Sequence, residues 1–310
     1  MNDMKQTAVA FGPEGTLVGV LTTPTGSDPK PVACLMLNMG ANHRVGPHRI
    51  NVKLAHRLAA LGVSSLRFDL AGLGDSAPPS GSEHFTTQAV HDLQAAMELM
   101  ESTLGIRQFL VIGLCSGAAN ALSVAVIDAR VVGILMFDGY GFPGRRSRWE
   151  RTLRRALAAP TNPAFVGKAM RWVKRQLAPR SGAADMPHIF DEVQPTEVVL
   201  GLFRRSMTQL VARGVSVYLL YSGTLHVRDR GRDQLGPFAG EPFAQQLEYE
   251  FVREIDHTLT SLASQERFMT AVTHWVMRVA AKRMTWASSA GVAEFDLPLP
   301  PAATRPLALL

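Results

Sequence analysis

The sequence predicts an α/β protein built on a doubly wound, mostly parallel sheet. Three observations carry this. Apolar runs recur along the chain (Val32–Leu37, Phe109–Ile112, Val131–Phe137 and Val215–Tyr221), as expected of strands buried on both faces, and Val63–Phe68 and Tyr249–Ile255 read as further strands. Stretches with a helical apolar period lie between several of them. Several runs end at a loop rich in Gly, Asp, Asn or His, and in doubly wound sheets the carboxyl ends of strands are where ligands bind. A length of 310 residues with 46% apolar composition suits one large domain with an inserted subdomain.

In chain order, Ala8–Phe11 and Leu17–Leu21 form an opening hairpin around Gly12-Pro13-Glu14-Gly15. After a Pro/Gly/Thr/Ser loop, the strand Val32–Leu37 ends at Asn38-Met39-Gly40. Cys34 lies inside this strand and reads as a packed core thiol. The loop Ala41–Ile50 carries His43, Arg44, His48 and Arg49; as an anion clamp, His43, Arg44 and Arg49 are substrate-binding candidates. A helix spans Val52–Leu61 and stops at Gly62. The turn Asp69–Ser76 is glycine-rich but lacks the Gly-Lys-Ser/Thr ending of a phosphate loop, so Asp69 and Asp75 read as turn and cap residues. A long helix follows over Thr86–Leu104, with Val90, Leu93, Ala96, Met97 and Met100 on one face.

The stretch Phe109–Leu122 then reads as strand, sharp turn and helix, with Gly113 and Gly117 two residues either side of Cys115. This is a nucleophile elbow, where flanking positions must be small because strand and helix nearly collide. With Ser116 at the apex the flanks would be Leu114 and Ala118, and Leu114 would clash, so the nucleophile reads as Cys115. The backbone N–H of Ser116 then serves as an oxyanion donor, with Gly40 as the second.

Residues 143–210 are helical and basic, without an evident strand: 143–180 hold eleven Lys and Arg against the single acid Glu150. They read as a lid inserted into a core of residues 1–142 and 211–285. Ser222–Glu241 reads as a polar loop, Gln265–Ala281 as the closing helix, and 286–310 as an Ala/Pro/Leu-rich tail. Net charge is +6. No nucleic-acid motif accompanies it, so nucleic acid is not an expected partner. Two cysteines on separate strand ends imply neither a disulfide framework nor a metal site, and no metal or cofactor is expected. Free thiols and the lack of a signal-peptide-like apolar run in Met1–Phe11 lead to the expectation of a cytoplasmic protein. Homo-oligomerisation is left open.

The order of elbow, helical insertion and a late His257 resembles the α/β-hydrolase superfamily over residues 5–282. More narrowly, Asn38-Met39-Gly40, His43-Arg44-Val45-Gly46-Pro47-His48-Arg49, Arg67–Ser76 and Asp256-His257-Thr258 are similar to motifs of bacterial hydrolases associated with exosortase and polysaccharide gene clusters. The Gly-x-Cys-x-Gly elbow is similar to that of dienelactone hydrolases and polyhydroxyalkanoate synthases.

The resemblance implies an α/β-hydrolase fold with a helical lid. It also implies a Cys115 nucleophile with His257, in the loop after the last strand, as base; His226 is the runner-up. The superfamily usually carries its acid after the strand read at 215–221, where Ser222-Gly223-Thr224-Leu225-His226 offers no carboxylate. Asp138 occupies an alternative acid position of the superfamily, and Asp229 is the other choice.

The implied activity is that of an acyl hydrolase, esterase- or thioesterase-like, with an acyl ester or thioester substrate. One alternative is acyl transfer from coenzyme A or an acyl carrier protein held at the basic lid. The other is a non-catalytic carrier-binding scaffold, kept open by the missing acid after 215–221.

Overall fold

The structure, a computed structural model, describes residues 4–26, 28–158 and 196–290. Eight strands form one sheet: β1 (Met4–Phe11), β2 (Leu17–Pro24), β3 (Ala33–Met36), β4 (Ser64–Phe68), β5 (Phe109–Leu114), β6 (Val131–Phe137), β7 (Ser216–Ser222) and β8 (Glu248–Val252), in the order β1-β2-β4-β3-β5-β6-β7-β8. The opening hairpin pairs antiparallel and joins the sheet through antiparallel β2–β4; from β4 to β8 every neighbour is parallel. Among the described residues the α-helices are α1 (Ile50–Ala60), α2 (Phe85–Leu104), α3 (Gly117–Ile127), α4 (Arg145–Ala158), α5 (Thr196–Ala212) and α6 (Leu262–Ala290).

Strand periodicity builds two apolar layers. Leu35, Val111, Ile134 and Leu219 pack with Leu93, Met97 and Met100 of α2, Ala121 and Val124 of α3, and Phe203, Met207 and Leu210 of α5. Cys34, Leu110, Ile112, Leu135 and Leu220 point the other way, onto Leu54 and Leu58 of α1 and Phe268, Val272, Trp275 and Val276 of α6. Every residue of β3, β4, β5 and β6 is buried, which is why β3, β5 and β6 are apolar runs in the sequence; β4 differs in burying Ser64, Ser65 and Arg67, whose guanidinium donates to Thr22 Oγ1 at 3.2 Å.

Three boundaries differ from expectation. The expected lid limit at 210 falls inside α5, whose Phe203, Met207 and Leu210 are core residues. The expected tail from 286 begins inside α6, which continues to Ala290. The expected polar loop after β7 is packed: two 3-10 segments, Asp233–Phe238 and Pro242–Gln245, bury Leu235, Phe238, Phe243 and Ala244 under the aromatic cluster of Tyr140, Phe142 and Phe203. The part of the expected lid at 159–195 and the tail at 291–310 lie outside the described residues.

Candidate active site

Cys115 sits between β5 and α3 with φ +55°, a left-handed conformation uncommon for a residue with a side chain. Its backbone N–H donates to the Phe137 carbonyl of β6 at 2.8 Å, which fixes the turn against the neighbouring strand. The flanking residues must be glycine. A Cβ at Gly113 would lie 2.3 Å from the Gly117 carbonyl oxygen, and one at Gly117 would lie 2.8 Å from that of Asn38. A half-buried Cys115 with these flanks is the elbow geometry read from the sequence.

Asp138 directly follows β6, the strand next to β5, and also has a positive φ of +51°. Its buried carboxylate accepts the Ser222 N–H on Oδ1 at 2.7 Å and meets His257 Nδ1 on Oδ2 at 2.9 Å. With Nδ1 so occupied, Nε2 is the nitrogen left to serve the Cys115 thiol, and ring and thiol shift each other's titration. The Asp138 hydrogen bond, and next the bond to Cys115, raise the His257 pKa from 6.5 to about 9. In return the His257 hydrogen bond, against the opposing effect of burial, lowers that of Cys115, and the Ser116 backbone N–H facing the sulfur adds to this. The arrangement favours a thiolate beside an imidazolium. Cys34, by contrast, is fully buried and its thiol is pushed far up by desolvation.

Asp229 makes other bonds: its Oδ1 accepts the N–H groups of Asp233 at 2.7 Å and Gly231 at 3.1 Å, and its Oδ2 accepts the Tyr249 hydroxyl. Asp256 closes its own turn through Thr258 and Thr260. His226 is buried on the far side of Asp138. Its Nε2 is 3.6 Å from Oδ1, and its Nδ1 faces Gln234 Oε1 at 2.6 Å, so the structure directs it at the acid rather than at the thiol. Sequence reasoning missed Gln234, eight residues from His226, because no spacing rule marks such a pair. It also missed the Ser222 amide, because a backbone donor leaves no residue-type signal.

The loop after β3 differs from the expected anion clamp. Arg44 pairs with Asp69 and lies 2.7 Å from Asp75, while His43 Nε2 lies 3.1 Å from Asp75 and 3.4 Å from Asp69. These cationic groups therefore have carboxylate partners from the turn after β4. Asp69 is fully buried and also accepts Asn38 Nδ2 and the Arg44 N–H, which ties the two turns together. His43, Asp69 and Asp75 bring one ligand atom each within 4.8 Å of one another, but the Arg44 guanidinium already supplies the cation both carboxylates contact. Arg49 is exposed, with φ +62° at the start of α1. Gly40 reaches the elbow, but its N–H donates to Ser116 Oγ at 2.9 Å.

No curated protein matches the sequence at a significant level. Solved structures do match the fold. Est1E from Butyrivibrio proteoclasticus is 14% identical with a TM-score of 0.53, covering 88% of this chain and 99% of its own. Alpha/beta hydrolase GrgF from Penicillium sp. sh18 is 16% identical with a TM-score of 0.53, covering 90% and 99%. Proline iminopeptidase from Mycobacterium smegmatis is 15% identical with a TM-score of 0.52, covering 90% and 100%. At such identities the likeness is one of fold. A model of the Alpha/beta hydrolase family matches residues 40–298, a span that contains the elbow, Asp138 and His257, and the chain therefore belongs to the alpha/beta hydrolase family.

Proposed function

We propose that the chain is an acyl hydrolase, esterase- or thioesterase-like, that works through a thioester on Cys115. The observation that carries the reading is the Asp138–His257 hydrogen bond beside an elbow where the Cys115 thiol is held in left-handed backbone geometry and shifts, and is shifted by, His257. The Cys115 thiolate attacks the acyl carbonyl carbon. The Sγ–C bond forms and the π pair moves onto oxygen, where the Ser116 N–H receives it. Gly40 N–H joins once the Ser116 hydroxyl it now contacts rotates away. Collapse of the intermediate expels the alkoxide or thiolate leaving group, which takes the proton from His257 Nε2. Water then gives a proton to Nε2, its oxygen attacks the thioester carbon, and Sγ departs with its electron pair. Asp138 holds the His257 tautomer throughout and stabilises the imidazolium.

The missing carboxylate after β7 kept a non-catalytic scaffold in view; the Asp138–His257 bond supports the catalytic reading over it. Transfer to an alcohol or amine would use the same acyl-enzyme. Intact-protein mass spectrometry with short and medium acyl thioesters and activated esters tests the reading. A transient acyl adduct in the wild type and none in Cys115→Ala is expected, and adduct decay in water alone identifies hydrolysis. An adduct that persists in water and decays on adding an alcohol or amine identifies transfer. No adduct and no turnover with any donor refutes the enzyme.

A further inference from the structure

Helix α4 turns Ser147, Glu150 and Arg151 partly toward the body of the protein and leaves an apolar stripe facing outward. Glu150 is half-buried and accepts Arg230 Nη2 at 2.8 Å, from the loop after β7, and Arg151 is half-buried on the same side. Trp149, Leu153 and Leu157 are 65%, 42% and 70% exposed. Spaced four residues apart, they occupy one narrow sector of the helix. Arg145, Arg146 and Arg148 are exposed around the same sector. A short connection after Asp138 leads to α4, so the stripe lies close along the chain to the candidate site.

We propose that α4 is a peripheral docking helix for an anionic lipid surface. Charge selects the occupant: three guanidinium groups rim the stripe, and the one acid of the helix, Glu150, is engaged by Arg230 at 2.8 Å as well as lying 3.6 Å from Arg146, so it does not leave a free negative charge there. Guanidinium forks match lipid phosphates, and a Trp with two Leu on a basic helix is the composition that settles at the headgroup–acyl boundary. Size argues against a protein partner. A stable protein interface engages about 20–30 residues a side, whereas this is a convex ridge on a helix of 14 residues. No helix among the described residues is long and apolar enough to cross a membrane, so the contact is one of surface. The proposal does not rest on the catalytic reading.

The test is co-sedimentation of the full chain with vesicles of phosphatidylglycerol and phosphatidylcholine, against phosphatidylcholine alone. Partition to the anionic vesicles is expected, weakening in high salt. Replacing Arg145, Arg146 and Arg148 together with Ala should weaken it roughly a hundredfold, at about fivefold per guanidinium. The triple variant Trp149→Ala, Leu153→Ala, Leu157→Ala should lose it while keeping the wild-type thermal transition. Four results would overturn the proposal. One is a wild type with no preference for anionic vesicles, and another is unchanged partition of both triple variants. A third is variants that keep lipid binding but lose binding to a purified acidic acyl carrier protein, which would make that protein the occupant. The last is a marked fall in the melting temperature of the apolar variant, which would mean that the chain itself covers the stripe.

Discussion

Asp138→Asn is the most direct challenge to the assembled site. The wild-type carboxylate accepts the Ser222 N–H at 2.7 Å and the His257 Nδ1–H at 2.9 Å. In the variant the carboxamide oxygen keeps the Ser222 bond, so the amide NH2 is left facing Nδ1. A donor there forces Nδ1 to become the acceptor and moves the neutral ring's proton to Nε2, where it can no longer take one from the thiol. Protonation sets an upper bound on one part of the effect, because Cys115 also raises the His257 pKa and remains in the variant. His257 at a pKa of about 9 is about 90% imidazolium at pH 8, and at its ordinary 6.5 it is about 3%. On that count alone the ion pair is depleted by up to about 30-fold, and the tautomer error adds to the loss.

The assay is the pH profile of kcat/KM with a chromogenic ester or thioester. In the wild type the acid limb should fall below the ordinary thiol range, because the Cys115 pKa is lowered, and the basic limb near pH 9, where His257 loses its proton. In Asp138→Asn the basic limb should move toward neutrality and activity at pH 8 should drop by more than about tenfold, the lost ion pair and the wrong tautomer acting together. A variant that keeps its fold, its activity at pH 8 and a basic limb near 9 would show that Asp138 does not act on His257, and Asp229 would become the acid to examine.

Three further outcomes follow. Iodoacetamide at neutral pH should add one group per chain, at Cys115, because Cys34 is fully buried with its thiol pKa pushed up; peptide mapping that finds Cys34 labelled first refutes the thiolate assignment. Ser116→Ala should leave kcat unchanged or raise it up to about threefold by freeing the Gly40 N–H, whereas a tenfold fall would make the hydroxyl itself the donor. Gly113→Ala should cost about 2–3 kcal/mol, because its Cβ meets backbone atoms of Gly117 and Ala118 that cannot step aside. That corresponds to roughly 3–5 °C in Tm for a chain of 310 residues, and a change of under a degree would show the elbow to be looser than described.

The sheet was legible in the sequence where burial on both faces leaves an apolar run, as in β5 and β6, which agree with expectation to within two residues at each end. The elbow was legible because close packing of strand and helix restricts residue type at Gly113 and Gly117. The loop after β3 was not. Arg44 finds Asp69 and Asp75 at separations of 25 and 31 residues, and a charge pair formed across two turns leaves no local pattern. The same holds for the loop after β7, where scattered Leu235, Phe238 and Phe243 are buried without any helical or strand period. Asp138 and Asp229 could not be separated from sequence, because that choice depends on which carboxylate the loop after β8 brings His257 to meet.

The Asp138–His257 bond joins residues 119 apart in the chain, with residues 159–195 between them. Breaking the chain anywhere in that interval would yield one piece carrying β1–β6 with the thiol and its carboxylate, and another carrying β7, β8 and the imidazole. Neither piece holds a complete proton path. The path closes only when β7 docks along β6, from Gly133 against Ser216 to Phe137 against Leu220. Under the catalytic reading, turnover by such a bisected protein would count reassembled sheets, so fusing the halves to two other proteins would make ester cleavage a report of their encounter.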